Sequence, residues 1–196
     1  TTPELTGEEV DEIKQKRRNV KAARAARAEQ IATVVSDGTI YAKADGVTHL
    51  NIYSNSKTDL GRGLAHFAFS PFLHPYYGPF NSMEGFWHFI RAEEPDHRLR
   101  TFSGHRAKLL GKTLKTHRVE NFRELVNEAN YHRIAQSEKL RALIVDSNLP
   151  FDHYYLFGPG QKLVRPMGFE WLVDGFENIR KMLKKGQVPV PVNPVV

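Results

Sequence analysis

Residues 81–91 read NSMEGFWHFIR, and this stretch decides how the middle of the chain is organised. Asn81 and Ser82 are both N-cap residues, since a short side-chain oxygen accepts from one of the free N–H groups that open a helix. A helix begun there carries Met83, Phe86, Trp87 and Ile90 at i, i+3, i+4 and i+7, which form one apolar face. Glu84 then falls in the first turn, beside that face and at the positive end of the helix dipole. Two readings stand at this point. Glu84 is a helix-start carboxylate on a core helix, or it is an acid or base at the mouth of an aromatic pocket.

The surrounding composition is that of a globular domain. The 196 residues are 40% hydrophobic and 26% charged, enough to bury a real core, and the length favours one domain. Cysteine is absent, which excludes disulfides and thiolate chemistry and is compatible with a reducing, intracellular (cytoplasmic) setting. No apolar run approaches the ~20 residues of a membrane-spanning helix, so no membrane contact is expected. The N-terminus lacks the basic-then-apolar order of a secretory signal. The formal charge of +6, from 28 Lys+Arg against 22 Asp+Glu, suits an anionic ligand such as a phosphate, a nucleotide or a nucleic acid. Much of it is local: residues 14–27 hold Lys14, Lys16, Arg17, Arg18, Lys21, Arg24 and Arg27 and no acid.

That basic segment lies in an Ala-rich helix expected from Thr6, with Glu9 completing a capping box, to about residue 32. Its apolar stripe is thin, so it reads as a solvated helix face, with nucleic-acid contact through 14–27 as the alternative. Turn signals at 36–38 and 45–46 bracket a short β candidate at 39–43, and residues 48–54, THLNIYS, alternate as a strand. Residues 54–63, SNSKTDLGRG, read as a polar glycine loop, 64–72 as apolar and strand-like, and 73–80, LHPYYGPF, as an aromatic loop. After Phe80 the pattern is mainly helical: from Ser103 to about 114, from about 119 to 133, and from Ser137 onward. FDHYYLF at 151–157 is a short strand, GPGQKLVRPMG at 158–168 a loop, and Phe169, Leu172, Val173, Phe176, Ile179 and Leu183 trace a final helix. The proline-rich end is expected to be extended and PPII-like. The expected architecture is α+β, a helix-rich single domain with a small β-sheet drawn from the N-terminal half. A basic helix and short β extension occupy 1–46, the main domain 47–185 and a flexible Pro-rich tail 186–196.

The chemistry offered by single motifs is limited. There is no His-Glu-x-x-His helix, acidic calcium loop, nucleophile elbow or Walker loop, so no metal or cofactor is expected, and the nine histidines read as surface or satisfied groups. The glycine clusters GRG and GPG could turn backbone N–H groups toward a phosphate. A carboxylate among aromatics, with Arg62 and Arg91 near in pattern, suits hydrolysis of a C–N bond to ribose. The carboxylate would support an oxocarbenium-like state or act on water, an aromatic wall would stack on a base, and arginines would hold phosphates.

Two linked segments, LNIYSNSKTDLGRGLAHFAFSPF at 50–72 and FNSMEGFWHFIRA at 80–92, resemble the opening of the NADAR family, the YbiA-like N-glycosidases. GHRAKLLGKTL, NEANYHRIAQSEKLRALIVDSN and PMGFEWLVDGFENIRKML resemble the family's later helices in the same order, so the similarity runs from about 50 to 184. The resemblance implies a YbiA-like fold and action on N-glycosidic bonds to ribose, as in early riboflavin-pathway intermediates or ADP-ribosylated guanine. It implies a nucleotide-like small molecule or ADP-ribosylated nucleic acid as partner. Glu84 matches the family's active-site glutamate, Tyr53 and Ser54 its strand, and Gly61 to Phe67 its ligand-facing loop.

On that resemblance Glu84 and Arg91 are the catalytic candidates. Tyr53, Ser54, Arg62, Gly63, His66, Phe67, Trp87, Phe157, Gly158 and Arg165 are candidates for substrate binding. Arg62, Arg91 and Arg165 would bind phosphate, His66 would meet the ribose or leaving base, and Trp87 or Phe157 would form the stacking wall. The chain departs from the family pattern at His66 (Asn), Ala65 (Ser), Arg91 (Lys), Phe157-Gly158 (Trp-Gly, without an evident preceding aspartate) and Arg165 (Asn). A chain with these changes either hydrolyses the bond or binds a nucleotide or nucleic acid on the same fold without turning it over.

Overall fold

The computed structural model describes residues 32–35, 38–158 and 162–192. The expected basic helix, with its 14–27 segment, lies outside the described residues. The helix expected from NSMEGFWHFIR is present as Met83–Arg91, with Ser82 as N-cap. Ser82 Oγ accepts from the Gly85 N–H at 3.0 Å and donates to the Phe102 carbonyl at 2.9 Å, so the cap is itself anchored. Met83, Phe86, Phe89 and Ile90 are buried along the helix, and Trp87 stays part-exposed at the edge of that face. Gly85 lets the 3₁₀ turn His97–Arg100 cross closely, because a Cβ there would lie 2.1 Å from the Leu99 carbonyl oxygen.

In chain order the α-helices are α1 (Gly38–Lys43), α2 (Asp59–Leu64), α3 (Met83–Arg91), α4 (Gly104–Gly111), α5 (Phe122–Gln136), α6 (Glu138–Asp146) and α7 (Glu170–Lys184). The strands are β1 (Ala32–Val35), β2 (Leu50–Asn51), β3 (Phe72–His74), β4 (Gly78–Phe80), β5 (Phe151–Asp152), β6 (Tyr155–Phe157) and β7 (Lys162–Pro166). Helices α3, α5, α6 and α7 enclose Met83, Phe86, Leu125, Val126, Ile134, Ile144 and Phe176, all essentially without exposed surface. Each such side chain contributes roughly 1.5–3 kcal/mol on burial. Ser137 separates α5 from α6 in extended geometry, and its Oγ accepts from the Leu140 N–H at 3.3 Å.

The β structure is small and divided. β1, β7 and β6 form an antiparallel sheet, β2 pairs with β5 in parallel, and β3 and β4 form a hairpin. The expected sheet from the N-terminal half is therefore corrected: two of the three sheets join N-terminal strands to C-terminal ones. Residues 39–43, expected as a strand, lie in α1, where a helical turn brings Tyr41 onto Asp152 (2.8 Å) and onto the His49 ring (4.2 Å between centroids).

The glycine loop is also corrected, because residues 59–64 are the short helix α2, capped by Thr58. Its glycines serve close packing: a Cβ at Gly61 would stand 2.2 Å from the Asn51 carbonyl oxygen, and one at Gly63 2.4 Å from Leu140 Cδ2. Tertiary contact thus overrides the low helix propensity of glycine. Of residues 64–72 only Phe72 is in a strand: Leu64 ends α2, and bends, turns and irregular chain fill 65–71. The aromatic loop is the β3–β4 hairpin, closed through Gly78 at φ +79°. The loop expected at 158–168 contains β7, whose Leu163 is fully buried. Residues 187–192 have no regular structure and run past α5, where Tyr131 Oη donates to the Gln187 carbonyl at 3.0 Å.

Arg133 joins α5 to α2. It is fully buried, and its guanidinium donates to the carbonyls of Gly63 (3.1 Å), Leu64 (2.8 Å) and Ala65 (3.2 Å) and to Asn130 Oδ1 (3.0 Å). No carboxylate pairs with it among the described residues, and burial pulls it down to about 9. Arg133→Met keeps the volume but strands four acceptors, each costing about 1–3 kcal/mol when buried without a donor and partly relieved by relaxation. We expect a loss of roughly 3–5 kcal/mol in urea unfolding. A change below about 0.5 kcal/mol, the range of ordinary surface substitutions, would show that the joint is dispensable.

Candidate active site

Glu84 occupies the first turn of α3, and its backbone N–H donates to the His66 carbonyl at 2.9 Å. This bond ties the head of α3 to the turn that follows α2. The Glu84 side chain is 13% exposed, and Oε1 lies 3.2 Å from His88 Nε2, one helical turn on. A carboxylate can only accept, so the His88 Nε2 carries the proton in this contact. Helix α4 presses on the same pair, because a Cβ at Gly111 would come within 2.0 Å of the His88 ring.

His66 faces the other side of this corner. Its Nε2 lies 3.3 Å from Asn130 Nδ2. Arg133 claims Asn130 Oδ1, which fixes the amide with its NH₂ toward the imidazole. His66 Nε2 is therefore an acceptor and Nδ1 carries the proton. Burial first, then the charge of Arg133 and the neighbouring His153, push His66 down to about 3. His153 is likewise held low by burial, and its Nδ1 donates to the Ile52 carbonyl at 2.7 Å, leaving Nε2 as an acceptor. Both imidazoles are neutral at physiological pH.

An aromatic wall closes the corner. The Trp87 ring stands 5.8 Å from His66, 4.6 Å edge-on to Phe122, and nearly parallel to Phe169 (6.2 Å) and Trp171 (6.3 Å). Phe169 continues to His153 at 6.3 Å. Arg91 ends α3 over the Phe122 ring at 5.9 Å, and Arg123 lies over Trp171 at 5.7 Å. Neither arginine has a carboxylate partner among the described residues. The structure thus brings Glu84, His66, Trp87 and Arg91 together on one helix face and its adjoining turn.

The other sequence candidates lie elsewhere or are engaged. Arg62 is held by the Ser56 carbonyl at 2.7 Å and by Asp59, and Gly63 is packed under Leu140. Phe67 neighbours His66 but turns to His105, 5.1 Å away. Ser54 is exposed in the turn after β2. Tyr53 lines a cavity of about 440 Å³ with Lys43, Asp45, Asn51, Asn55, Lys57 and Tyr154, which includes none of Glu84, His66 or Trp87. Phe157 is 71% exposed at the end of β6, and Gly158 follows it at φ +72°.

Arg165 makes a two-toothed pair with Asp152 (3.2 and 2.7 Å), while Tyr41 donates to the same carboxylate. Burial pushes the Asp152 carboxyl up, but these hydrogen bonds outweigh it and leave it below its ordinary value. Asp152 is therefore engaged by Arg165 and Tyr41. The site candidates drawn from the sequence did not include His88, Asn130, Arg133, His153 or Trp171, and Phe169 was placed only on the face of the final helix. The four-residue step from Glu84 to His88 was visible as a helix-face pair, whereas His153 joins the site only through the β2–β5 pairing. Among the described residues no group of three His, Cys, Asp or Glu side chains is placed to hold a metal ion. No described helix is long and apolar enough to cross a membrane.

No protein-family model and no curated protein matches the chain by sequence. Among solved structures the chain is similar to the E. coli protein YbiA, determined by NMR, with a TM-score of 0.53. The fold is YbiA-like. The superposition covers 73% of this chain and 92% of YbiA at 16% sequence identity. The α+β, YbiA-like fold implied by the motif order is therefore borne out, and the likeness is one of fold.

The neutral histidines give the chain a distinctive acid response. His66 (about 3) and His74 (pushed down by burial to about 4) both sit below the ordinary imidazole value in the folded state. The unfolded chain protonates them near pH 6.5, so their effect on stability is absent above that pH. Below it the unfolded state binds more protons, and stability falls by up to about 1.4 kcal/mol per pH unit for each histidine until the folded value is passed. Urea unfolding between about pH 7 and pH 4 should show this slope, beginning above the carboxylate range. His66→Asn, which keeps an acceptor for Asn130, should make it shallower; an unchanged slope would mean that His66 is not held neutral.

Proposed function

We propose that this chain is a divergent member of the NADAR family and an N-glycoside hydrolase, acting on an ADP-ribose-like or phosphoribosyl substrate. The observation that carries this reading is Glu84: a shielded carboxylate, hydrogen-bonded to His88, beside a neutral imidazole and an aromatic wall. The YbiA-like fold and the ordered motifs support it further.

In the proposed reaction the base or pyrimidine stacks on the Trp87 wall, and the C1′–N bond breaks with its electron pair leaving on nitrogen. Glu84 faces the developing oxocarbenium charge and accepts a proton from the attacking water, whose oxygen forms the new bond to C1′. That proton passes to the departing nitrogen, so the products are the free base and the ribose hemiacetal. The Nδ1–H of His66 is suited to donate to a ribose oxygen or a base carbonyl. Arg91 and Arg123, free of carboxylate partners among the described residues, are suited to the phosphates, more so than Arg62 and Arg165, which already hold Asp59 and Asp152.

The test is release of free base from nucleic acid carrying ADP-ribosylated guanine and from phosphoribosylamino-pyrimidine compounds. Glu84→Gln keeps the shape and removes the base, and should lower the rate by about 10²–10⁴-fold with binding largely retained. Equal rates in both proteins would remove Glu84 from the mechanism. The replacement of the family lysine by Arg91 favours a second reading, a module that binds nucleotide without cleaving it, and tight binding with no base release would establish that instead.

A further inference from the structure

The described body carries a second concentration of positive charge. From His97 to Val119 there are seven Lys and Arg (Arg98, Arg100, Arg106, Lys108, Lys112, Lys115, Arg118) and no acidic residue. With the seven at 14–27 set aside as well, 14 Lys+Arg remain elsewhere against all 22 Asp+Glu. Outside these two tracts acidic residues thus outnumber basic ones, and the net positive charge comes from the tracts.

Not every cation in the tract is available. Arg98 is paired with Asp96 at 2.6 Å, and Arg100 is tucked over the rings of Phe80 (4.7 Å) and Phe89 (4.3 Å). Arg106, Lys112, Lys115 and Arg118 are exposed and have no carboxylate partner among the described residues. They form a ridge whose course is fixed by backbone contacts. It starts where a Cβ at Gly104 would lie 3.6 Å from the Phe67 carbonyl oxygen, and Gly111 then crosses His88, the partner of Glu84. It ends along the last turn of α3, where Glu93 N–H donates to the Lys115 carbonyl (3.0 Å) and His117 N–H to the Arg91 carbonyl (2.9 Å). Glu93 and Glu94, both exposed, mark its acidic limit.

Aromatic rings accompany the charges. Arg106 lies over Phe102 at 4.3 Å, Lys108 over Phe67 at 5.2 Å, and Phe69, two residues from Phe67, is 67% exposed. Cations for a phosphate backbone interleaved with rings for base stacking is the chemistry that holds a single nucleic-acid strand. We propose that the ridge formed by Arg106, Lys112, Lys115 and Arg118 is a binding track for single-stranded nucleic acid that runs beside Glu84. An anionic membrane would need an apolar helix face to insert beside the charges, and the one large apolar side chain that α4 exposes, Leu109, gives little to insert. The track does not depend on the hydrolase reading.

The experiment uses the full chain and a fluorescent single-stranded oligonucleotide, with anisotropy followed over a salt series. The charge-reversed protein R106E/K112E/K115E/R118E is compared with wild type. Both are also made in a background where the seven basic residues at 14–27 are replaced by Gln. In both backgrounds reversal should weaken binding by at least about 10-fold, and the log–log salt slope should fall by about 3, since each single-strand phosphate contact contributes about 0.7. Phe69→Ala should weaken the single strand more than the duplex of the same sequence.

Unchanged affinity and slope on reversal, with all binding lost on replacing the 14–27 charges, would overturn the track. So would equal, ridge-dependent binding to vesicles of equal parts phosphatidylcholine and phosphatidylserine. Far-ultraviolet circular dichroism and the urea midpoint confirm that the reversed protein is folded. Base release from a mononucleotide-sized substrate should be unaltered by reversal, so loss of the track and loss of hydrolysis are read separately.

Discussion

The site depends on one buried cation. Arg133 has no carboxylate to pair with among the described residues, and its charge is met by three successive carbonyls at the end of α2 and by the Asn130 oxygen. A buried charge without such partners would cost several kcal/mol. Here the carbonyl end of a short helix supplies them, the end at which a helix favours positive charge. Fixing Asn130 fixes His66, and the His66 carbonyl in turn receives the first-turn N–H of Glu84. A single guanidinium on α5 therefore sets the end of α2, the tautomer of His66 and, through the next bond, the start of α3.

This chain of contacts has an electrostatic consequence. Glu84 shares its corner with the His66 imidazole, kept neutral chiefly by burial, and with the rings of the Trp87 wall. In such surroundings the attraction between a carboxylate and a positive charge 4 Å away is several times larger than in bulk water. Protonating His66 is opposed by burial and by Arg133, and protonating His153 by burial. The carboxylate is also the group that His88 supports with a hydrogen bond.

What the sequence disclosed follows from how local each feature is. The N-cap at Ser82, the apolar face of α3 and the Ser137 break were legible because each is decided within a few residues. For Glu84 the same local pattern gave the place in the first turn of α3 and left the role open between a helix-start carboxylate and an acid or base. The helix at 59–64 was not, since two glycines argue against one, and only the contacts of Gly61 with Asn51 and Gly63 with Leu140 show why they are required. The strand at 162–166 was hidden by its glycine- and proline-bearing flanks, and its pairing with residues 32–35 spans most of the chain. Residues 39–43 have the β-branched and aromatic look of a strand, yet form a helical turn that delivers Tyr41 to Asp152. The histidines read as scattered in sequence, and His66 and His153 converge only through α5, β2 and β5.

The arginines make the remaining distinction, which no count of charges could make. Arg62 and Arg165 are held by Asp59 and Asp152 and act first as parts of the fold. Arg91 lies over an aromatic ring with no carboxylate in its grip among the described residues, so its charge is available to a ligand at the end of the helix that begins with Glu84. A guanidinium stays protonated through the whole neutral range and forms no imine, whereas a lysine can do either. In the proposed hydrolysis Arg91 can then only hold an anion, and bond cleavage has to run through the Glu84 carboxylate and water. In that proposal His66 is not the proton carrier, because burial opposes its charging and the Asn130 amide already occupies its Nε2, which leaves Glu84 and the His88 imidazole that donates to it.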